Sequence, residues 1–184
     1  MRGWLVDAVA KARHKPVEKL TRAECYAYGY DCTSCSGELE HIAIHAQACL
    51  DAILEKDPKD ATAWALKSAV HANQWRFGHG LPEPERSDLL LRRERTDMAA
   101  ANRAEALSNG ANSAVYWGMA QAYFVKCEMD KMRAAIQRGL RLNPDDPSLL
   151  AVFGSWLTFA GEVDAGAAMV ERAIAIEPRH YPSW

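Results

Sequence analysis

The chain has 184 residues, of which 49% are hydrophobic, and a formal net charge of -2 at pH 7. This length and apolar content suffice for one buried core, built either as a single domain or as a short solenoid. The near-neutral charge gives no reason to expect binding to nucleic acid, which requires a concentrated basic surface, and acidic residues interrupt the one basic run, at 86–95. The longest uncharged run, residues 107–125, contains several polar side chains, so membrane insertion is not expected.

The five cysteines are an odd number and lack the spacing of a secreted disulfide framework. A reducing, cytoplasmic location is therefore expected. Cys25, Cys49 and Cys127 are interpreted as packing residues, because a free cysteine behaves as a small hydrophobic side chain.

Residues 1–35 are predicted to be an N-terminal helical segment. Apolar residues at helical spacing before Pro16 indicate a short amphipathic helix. Thr21 and Glu24 form a capping-box pattern, in which a Thr at the cap precedes a Glu by three residues. A second helix is expected to begin there and to end before residue 36.

The middle of the chain is predicted to contain three helices and a long loop. Residues 39–54 repeat apolar side chains at i, i+3, i+4 and i+7, and residues 61–77 form an alanine-rich helix. The glycines and prolines of residues 78–84 cannot continue a helix, so a loop follows. The next helix is expected to end at Asn109-Gly110.

The strongest pattern is a unit of about 34 residues that occurs twice in succession, at 113–146 and 147–178. Each unit contains two predicted helices and closes on a proline, Pro144 or Pro178. The turns between the helices are short, so the two helices of a unit are antiparallel neighbours. No alternating run of β-branched residues predicts a strand. The predicted fold is all-α, an antiparallel helix-pair solenoid of about seven to nine helices.

Side-chain sizes within the two units follow a consistent pattern. Small residues stand where helices would cross closely, and large residues stand where they would fill the holes between helices. The small residues are Ala120, Gly139, Gly154, Gly166 and Ala173, and the large ones are Tyr116, Met119, Tyr123, Ile136, Leu150, Phe153, Leu157 and Val170. The units resemble tetratricopeptide (TPR) repeats, and depart from them at Met132, where a small residue is usual. The resemblance implies a TPR-like helical repeat domain over 36–184, with an insertion at 78–92.

Four segments carry a more particular resemblance: 48–64, the insertion at 78–92, 142–147 and 178–184. In these segments the chain is similar to the C-terminal TPR regions of bacterial adenylate-cyclase-like and winged-helix transcriptional regulators. The resemblance implies the scaffold part of a bacterial regulatory or signalling protein, as a fragment of a longer chain, with neither a cyclase domain nor a winged helix.

In TPR arrays the first helix of each unit lines a concave groove, so the resemblance implies a set of partner-binding residues. These are Ala65, Ala69, Asn73, Trp117, Gln121, Phe124, Ser155, Thr158 and Phe159, with Thr62, Ala72, Ser148 and Ala151 beside them. The set contains no Lys or Arg, which excludes a clamp for an acidic C-terminal peptide. It favours an apolar or amphipathic protein segment. Alternatively, the N-terminal helix of this chain or a missing domain covers the groove, and Trp117 and Phe124 belong to the core.

A second hypothesis concerns Cys32, Cys35, His41 and His45. The two histidines are four residues apart on a predicted helix and could reach one metal ion, with the cysteines on the turn before them. The gap between Cys35 and His41 is shorter than in zinc fingers. The alternatives are a redox-active cysteine pair, which no βαβ pattern accompanies, and incidental cysteines beside ordinary helix histidines.

No nucleophile elbow, phosphate-binding glycine loop or His-Glu-x-x-His motif occurs in the sequence. The expected function is therefore non-enzymatic, with no cofactor. A further alternative is self-association, because the last repeat lacks a polar capping helix and should present an apolar outer face unless Tyr181 and Trp184 cover it.

Overall fold

A computed structural model describes residues 10–12, 15–32, 39–77 and 98–178. Within them lie a 3-10 turn at Val17–Lys19 and eight complete α-helices, and no strand occurs in these ranges. The helices are α1 Arg22–Cys32, α2 Leu39–Lys56, α3 Ala61–Phe77, α4 Met98–Ser108, α5 Ser113–Val125, α6 Met129–Leu142, α7 Pro147–Phe159 and α8 Val163–Ile176.

Consecutive helices form four packed pairs: α1 with α2, α3 with α4, α5 with α6, and α7 with α8. Neighbouring first helices also contact each other, α1 with α3, α3 with α5, and α5 with α7. The all-α helix-pair solenoid is thus confirmed. None of the helices in the described ranges combines the length and apolar character needed to cross a membrane.

The helix boundaries follow from capping chemistry that the sequence contains. The backbone N–H of Thr21 donates to the Glu24 carboxylate at 2.9 Å, and the N–H of Glu24 donates to the Thr21 hydroxyl at 3.3 Å, which is the predicted capping box. The Lys15 ammonium, followed by the Thr21 N–H, lowers the pKa of Glu24 to about 2. Helix α4 ends at Asn109 and Gly110, which have positive φ of 49° and 74°.

Close helix crossings depend on residues without a side chain. A Cβ placed on Gly154 would lie 2.6 Å from the carbonyl oxygen of Gly166, so α7 and α8 touch backbone to backbone. A Cβ on Gly118 would lie 2.7 Å from the carbonyl oxygen of Ala65, which brings α5 against α3 in the same way. The size pattern predicted the first crossing and missed the second, because the small residue that it assigned to α5 is Ala120 and not Gly118. Met132, the departure from the pattern, is fully buried.

The structure corrects the interpretation of the cysteines. Cys25 and Cys49 are buried as expected, but they are bonded to each other as a disulfide that joins α1 to α2, with a Cα–Cα distance of 5.5 Å. Cys127 is a free thiol and is exposed, in the turn between α5 and α6. Disulfides persist in oxidising surroundings. The bond between Cys25 and Cys49 therefore removes the assumption of unpaired cysteines, from which a reducing compartment was expected.

Three sequence expectations concern residues 1–92. The proposed boundary at 35/36 separates α1 from α2, yet these two helices form the first packed pair and are joined by the disulfide. The predicted first amphipathic helix falls mainly on residues 1–9 and the predicted insertion on residues 78–92, and both ranges lie outside the described residues.

Candidate partner-binding surface

Most of the predicted groove residues on α3, together with Trp117 and Gln121 on α5, are buried. Ala65 and Ala69 on α3 are completely inaccessible, as are Ala72 and Ala151. Trp117 retains 5% and Gln121 retains 2% of its surface, so both belong to the core. The structure does not describe the side chain of Asn73.

An aromatic stack explains the burial of Trp117. The Tyr30 ring of α1 lies 5.3 Å from the Trp117 ring of α5, with only 12° between their planes. Burial, followed by the charge of Asp146, raises the pKa of Tyr30 to about 12, so its phenol is neutral at physiological pH. Tyr30 of the chain's own helix α1 therefore covers Trp117.

Helix α1 is held in place by polar contacts at its first turns. Arg22 forms ion pairs with Asp60 at 3.0 Å and with Asp57 at 3.2 Å. The Tyr26 hydroxyl also donates to Asp60, and burial together with this hydrogen bond raises the pKa of Tyr26. Asp60 in turn caps α3 by accepting from the N–H of Ala63 at 2.9 Å. The buried Asp60 carboxylate thus binds Arg22 and Tyr26 of α1 as well as the N–H of Ala63 of α3, and it joins the two helices.

Four predicted groove residues in the second half of the solenoid remain accessible. Phe159 is 63% exposed, Thr158 is exposed, and Phe124 and Ser155 are half-buried. These four residues, at the C-terminal ends of α5 and α7, are called the aromatic surface below.

The aromatic surface rests on the core through ring contacts. The Phe124 ring stacks on the buried Trp156 ring with 11° between the planes, and it meets the Phe159 ring at 40°; both centroid distances are 6.3 Å. The Thr158 hydroxyl donates to the carbonyl of Gly154 at 3.0 Å and the Ser155 hydroxyl to that of residue 151 at 2.9 Å. Both hydroxyl groups therefore already donate hydrogen bonds within α7, and the aromatic surface presents mainly apolar atoms to solvent.

Charges in the adjoining turns are paired within the chain. Glu162, between α7 and α8, accepts a hydrogen bond from Arg133, which also forms an ion pair with Asp130 at 2.9 Å. Glu128, between α5 and α6, pairs with Lys131 at 2.7 Å.

The second hypothesis is not tested by the structure. Cys35 lies outside the described residues, and so do the side chains of Cys32 and His41. His45 is half-buried, with its ring 6.1 Å from the ring of Tyr28. In the described ranges, no group of three or more His, Cys, Asp and Glu residues could hold a metal ion.

No family model and no curated protein matches the chain. Among solved structures it is similar to the crystal structure of a thermophilic TPR protein of Thermus thermophilus. The TM-score is 0.64, and the match covers 96% of this chain and 82% of that chain at 15% identity. The likeness extends over almost the whole chain, α1 and α2 included, and establishes a TPR-like fold.

Proposed function

We propose that this protein is a non-enzymatic interaction scaffold that binds an apolar or amphipathic segment of another protein at the aromatic surface. The observation that carries the proposal is the exposure of Phe159 beside Phe124 and the buried Trp156. A large aromatic ring that rests on a rigid core and faces water is the kind of residue that anchors protein partners. The TPR-like fold supports a protein partner in general.

The bound segment is expected to be an amphipathic helix. The aromatic surface spans the ends of two neighbouring helices, so an apolar stripe at i, i+3, i+4 and i+7 can contact Phe124 and Phe159 together. The part of the groove around Trp117 takes no part, because the Tyr30 ring already covers it. The resemblance to bacterial regulators supports placing the scaffold in a regulatory or signalling protein, with a partner domain as the source of the helix.

The experiment is a selection of helical peptides from a displayed library on the purified protein, followed by affinity measurement. Burying an exposed phenylalanine contributes roughly 1.5–3 kcal/mol, so Phe159→Ser should weaken a selected peptide by about ten- to a hundredfold. The matched control is Ile44→Ser on α2, another exposed large apolar residue, which is 49% accessible. Peptides that lose affinity equally with both variants, or with neither, would refute the assignment of the surface.

A further inference from the structure

The spacing between the first helices of the repeats changes along the solenoid. Helices α3 and α5 touch backbone to backbone, because Gly118 of α5 has no side chain where it meets the carbonyl oxygen of Ala65. One repeat later, the residue equivalent to Gly118 is Val152 of α7, and its half-buried side chain packs against the core. This valine keeps the backbone of α7 away from α5. Helix α7 accordingly packs extensively with α8 and only sparingly with α5 and α6.

The first three helix pairs are joined to one another by polar contacts as well. The Asn112 side chain at the start of α5 donates to the Thr62 hydroxyl of α3 at 2.9 Å. Arg138 of α6 forms an ion pair with Glu105 of α4, also at 2.9 Å. The disulfide joins α1 to α2, and the contacts of Asp60 join α1 to α3. Helices α1 to α6 therefore form one unit, which is called the main block below.

The last pair, α7 with α8, is anchored in the main block by Phe153. Among the α7 residues that belong to the main core, Phe153 is the most deeply buried, and it is the middle residue of the helix. A Cβ on Gly139 of α6 would lie 3.2 Å from the Phe153 ring and 3.3 Å from the Cβ of Tyr116 of α5. The absent side chain of Gly139 thus admits the ring between α5 and α6. An anchor at the middle of α7 permits the helix to rotate about that point.

The C-terminal end of α7 meets the main block through contacts that tolerate displacement. The Phe124 ring stacks on the Trp156 ring at 6.3 Å with 11° between the planes, and parallel rings can slide while they stay in contact. The ion pair between Arg133 and Glu162 has side chains that are 37% and 36% accessible. Such a solvated pair gives weak restraint.

The loop between α6 and α7 contains the change from one unit to the other. The N–H of Asn143 donates to the last turn of α6 at 3.1 Å. Asp145 instead pairs with Arg172 of α8, and Asp146 accepts from the first N–H groups of α7. The start of the loop is thus bound to the main block and its end to the last pair. The hinge between them falls at residues 143–145.

We infer that α7 and α8 rotate as one unit on the main block, about Phe153 and with the hinge at 143–145. The rotation changes the aromatic surface, because Phe124 belongs to the main block and Phe159 to the last pair. Phe159 lies roughly 9 Å along the helix from Phe153, so a rotation of about 15° would move it by about 2 Å relative to Phe124. One consequence rests on the proposed function: a bound helix that contacts both rings holds the two units at one separation.

The test is double electron–electron resonance between nitroxide labels on exposed residues of the full chain, with Cys127→Ala and the disulfide retained. The α4–α8 pair, Ala106→Cys with Ala168→Cys, reports the position of the last pair relative to the main block. The matched control is the α2–α6 pair, Ala48→Cys with Gln137→Cys, which also spans two repeats but lies within the main block. Circular dichroism establishes that each labelled variant is folded.

In the free protein, the α4–α8 distance distribution should be broader than the control by about 2 Å or more. A distribution as narrow as the control would overturn the inference. This measurement needs no partner, so its failure is distinct from a failure of the proposed function. A selected peptide whose affinity depends on Phe159 should narrow the α4–α8 distribution to the control width. A bound peptide of this kind that leaves the distribution broad would refute the division of the aromatic surface between two moving units.

Discussion

The disulfide between α1 and α2 allows a quantitative prediction. Cys25 and Cys49 are 24 positions apart, so the bond closes a loop of about 25 residues. Constraining a loop of that length in the unfolded chain stabilises the fold by about 3.5 kcal/mol in the chain-entropy treatment. Because both sulfur atoms are buried, the double variant Cys25→Ala with Cys49→Ala keeps the site apolar and removes little besides the bond. The free energy of unfolding should fall by roughly 3 kcal/mol.

Urea denaturation followed by circular dichroism measures this loss, after peptide mapping has established the 25–49 bond in the oxidised protein. Reductant should destabilise the wild type by a similar amount and leave the double variant unchanged. Cys127→Ala is the matched control, because this thiol is exposed and free, and it should change stability by less than about 0.5 kcal/mol. An oxidised wild type no more stable than the double variant would refute the reasoning, as would two freely alkylated thiols at 25 and 49 under native oxidising conditions.

Three further substitutions test the packing. Gly118→Ala places a Cβ 2.7 Å from the carbonyl oxygen of Ala65. The free energy of unfolding measured by urea denaturation should therefore fall by about 1–3 kcal/mol, despite the better helix propensity of alanine. An unchanged midpoint would contradict the close crossing. Glu24→Ala should cost about 1 kcal/mol at neutral pH. The pKa of Glu24 is lowered on folding from 4.5 to about 2, so the wild type should lose this advantage as pH falls through that range, and a pH-independent difference would contradict the role of the charge. Tyr30→Leu removes the stack on Trp117 and should cost about 1 kcal/mol in the same assay, whereas no loss would show that the stack is dispensable.

Much of the fold could be predicted from local signals. The repeat period and its closing prolines predicted α5 to α8, and Thr21 with Glu24 predicted the start of α1. Asn109-Gly110 predicted the end of α4, because both residues readily adopt positive φ. Each of these features is contained within a few neighbouring residues, so no knowledge of the tertiary structure was needed.

The burial of the groove could not be predicted in this way. Trp117 is covered by Tyr30, which lies far from it in sequence, and the two rings meet because α1 packs against α3, where Gly29 faces Leu66 without a side chain of its own. No local sequence pattern predicts such a long-range contact. Phe159 is exposed, whereas Val125, its equivalent in the preceding repeat, is buried.

The disulfide was missed for a related reason. Cysteine spacing alone does not reveal which residues pair, and the interpretation of 1–35 as a separate segment placed Cys25 and Cys49 in different units. Once α1 is recognised as the first helix of a pair with α2, the two cysteines face each other across that pair. The period of the later repeats did not extend this far, because α1 is short and a glycine interrupts its apolar pattern.

The central claim, that the aromatic surface binds an amphipathic helix, is tested most directly by NMR chemical-shift mapping with a selected peptide. The account predicts that the largest amide shifts occur at Phe124 and at residues 155–159, with little change in α1 or around Trp117. Largest shifts around Tyr30 and Trp117, or on α2 around Ile44, would contradict it.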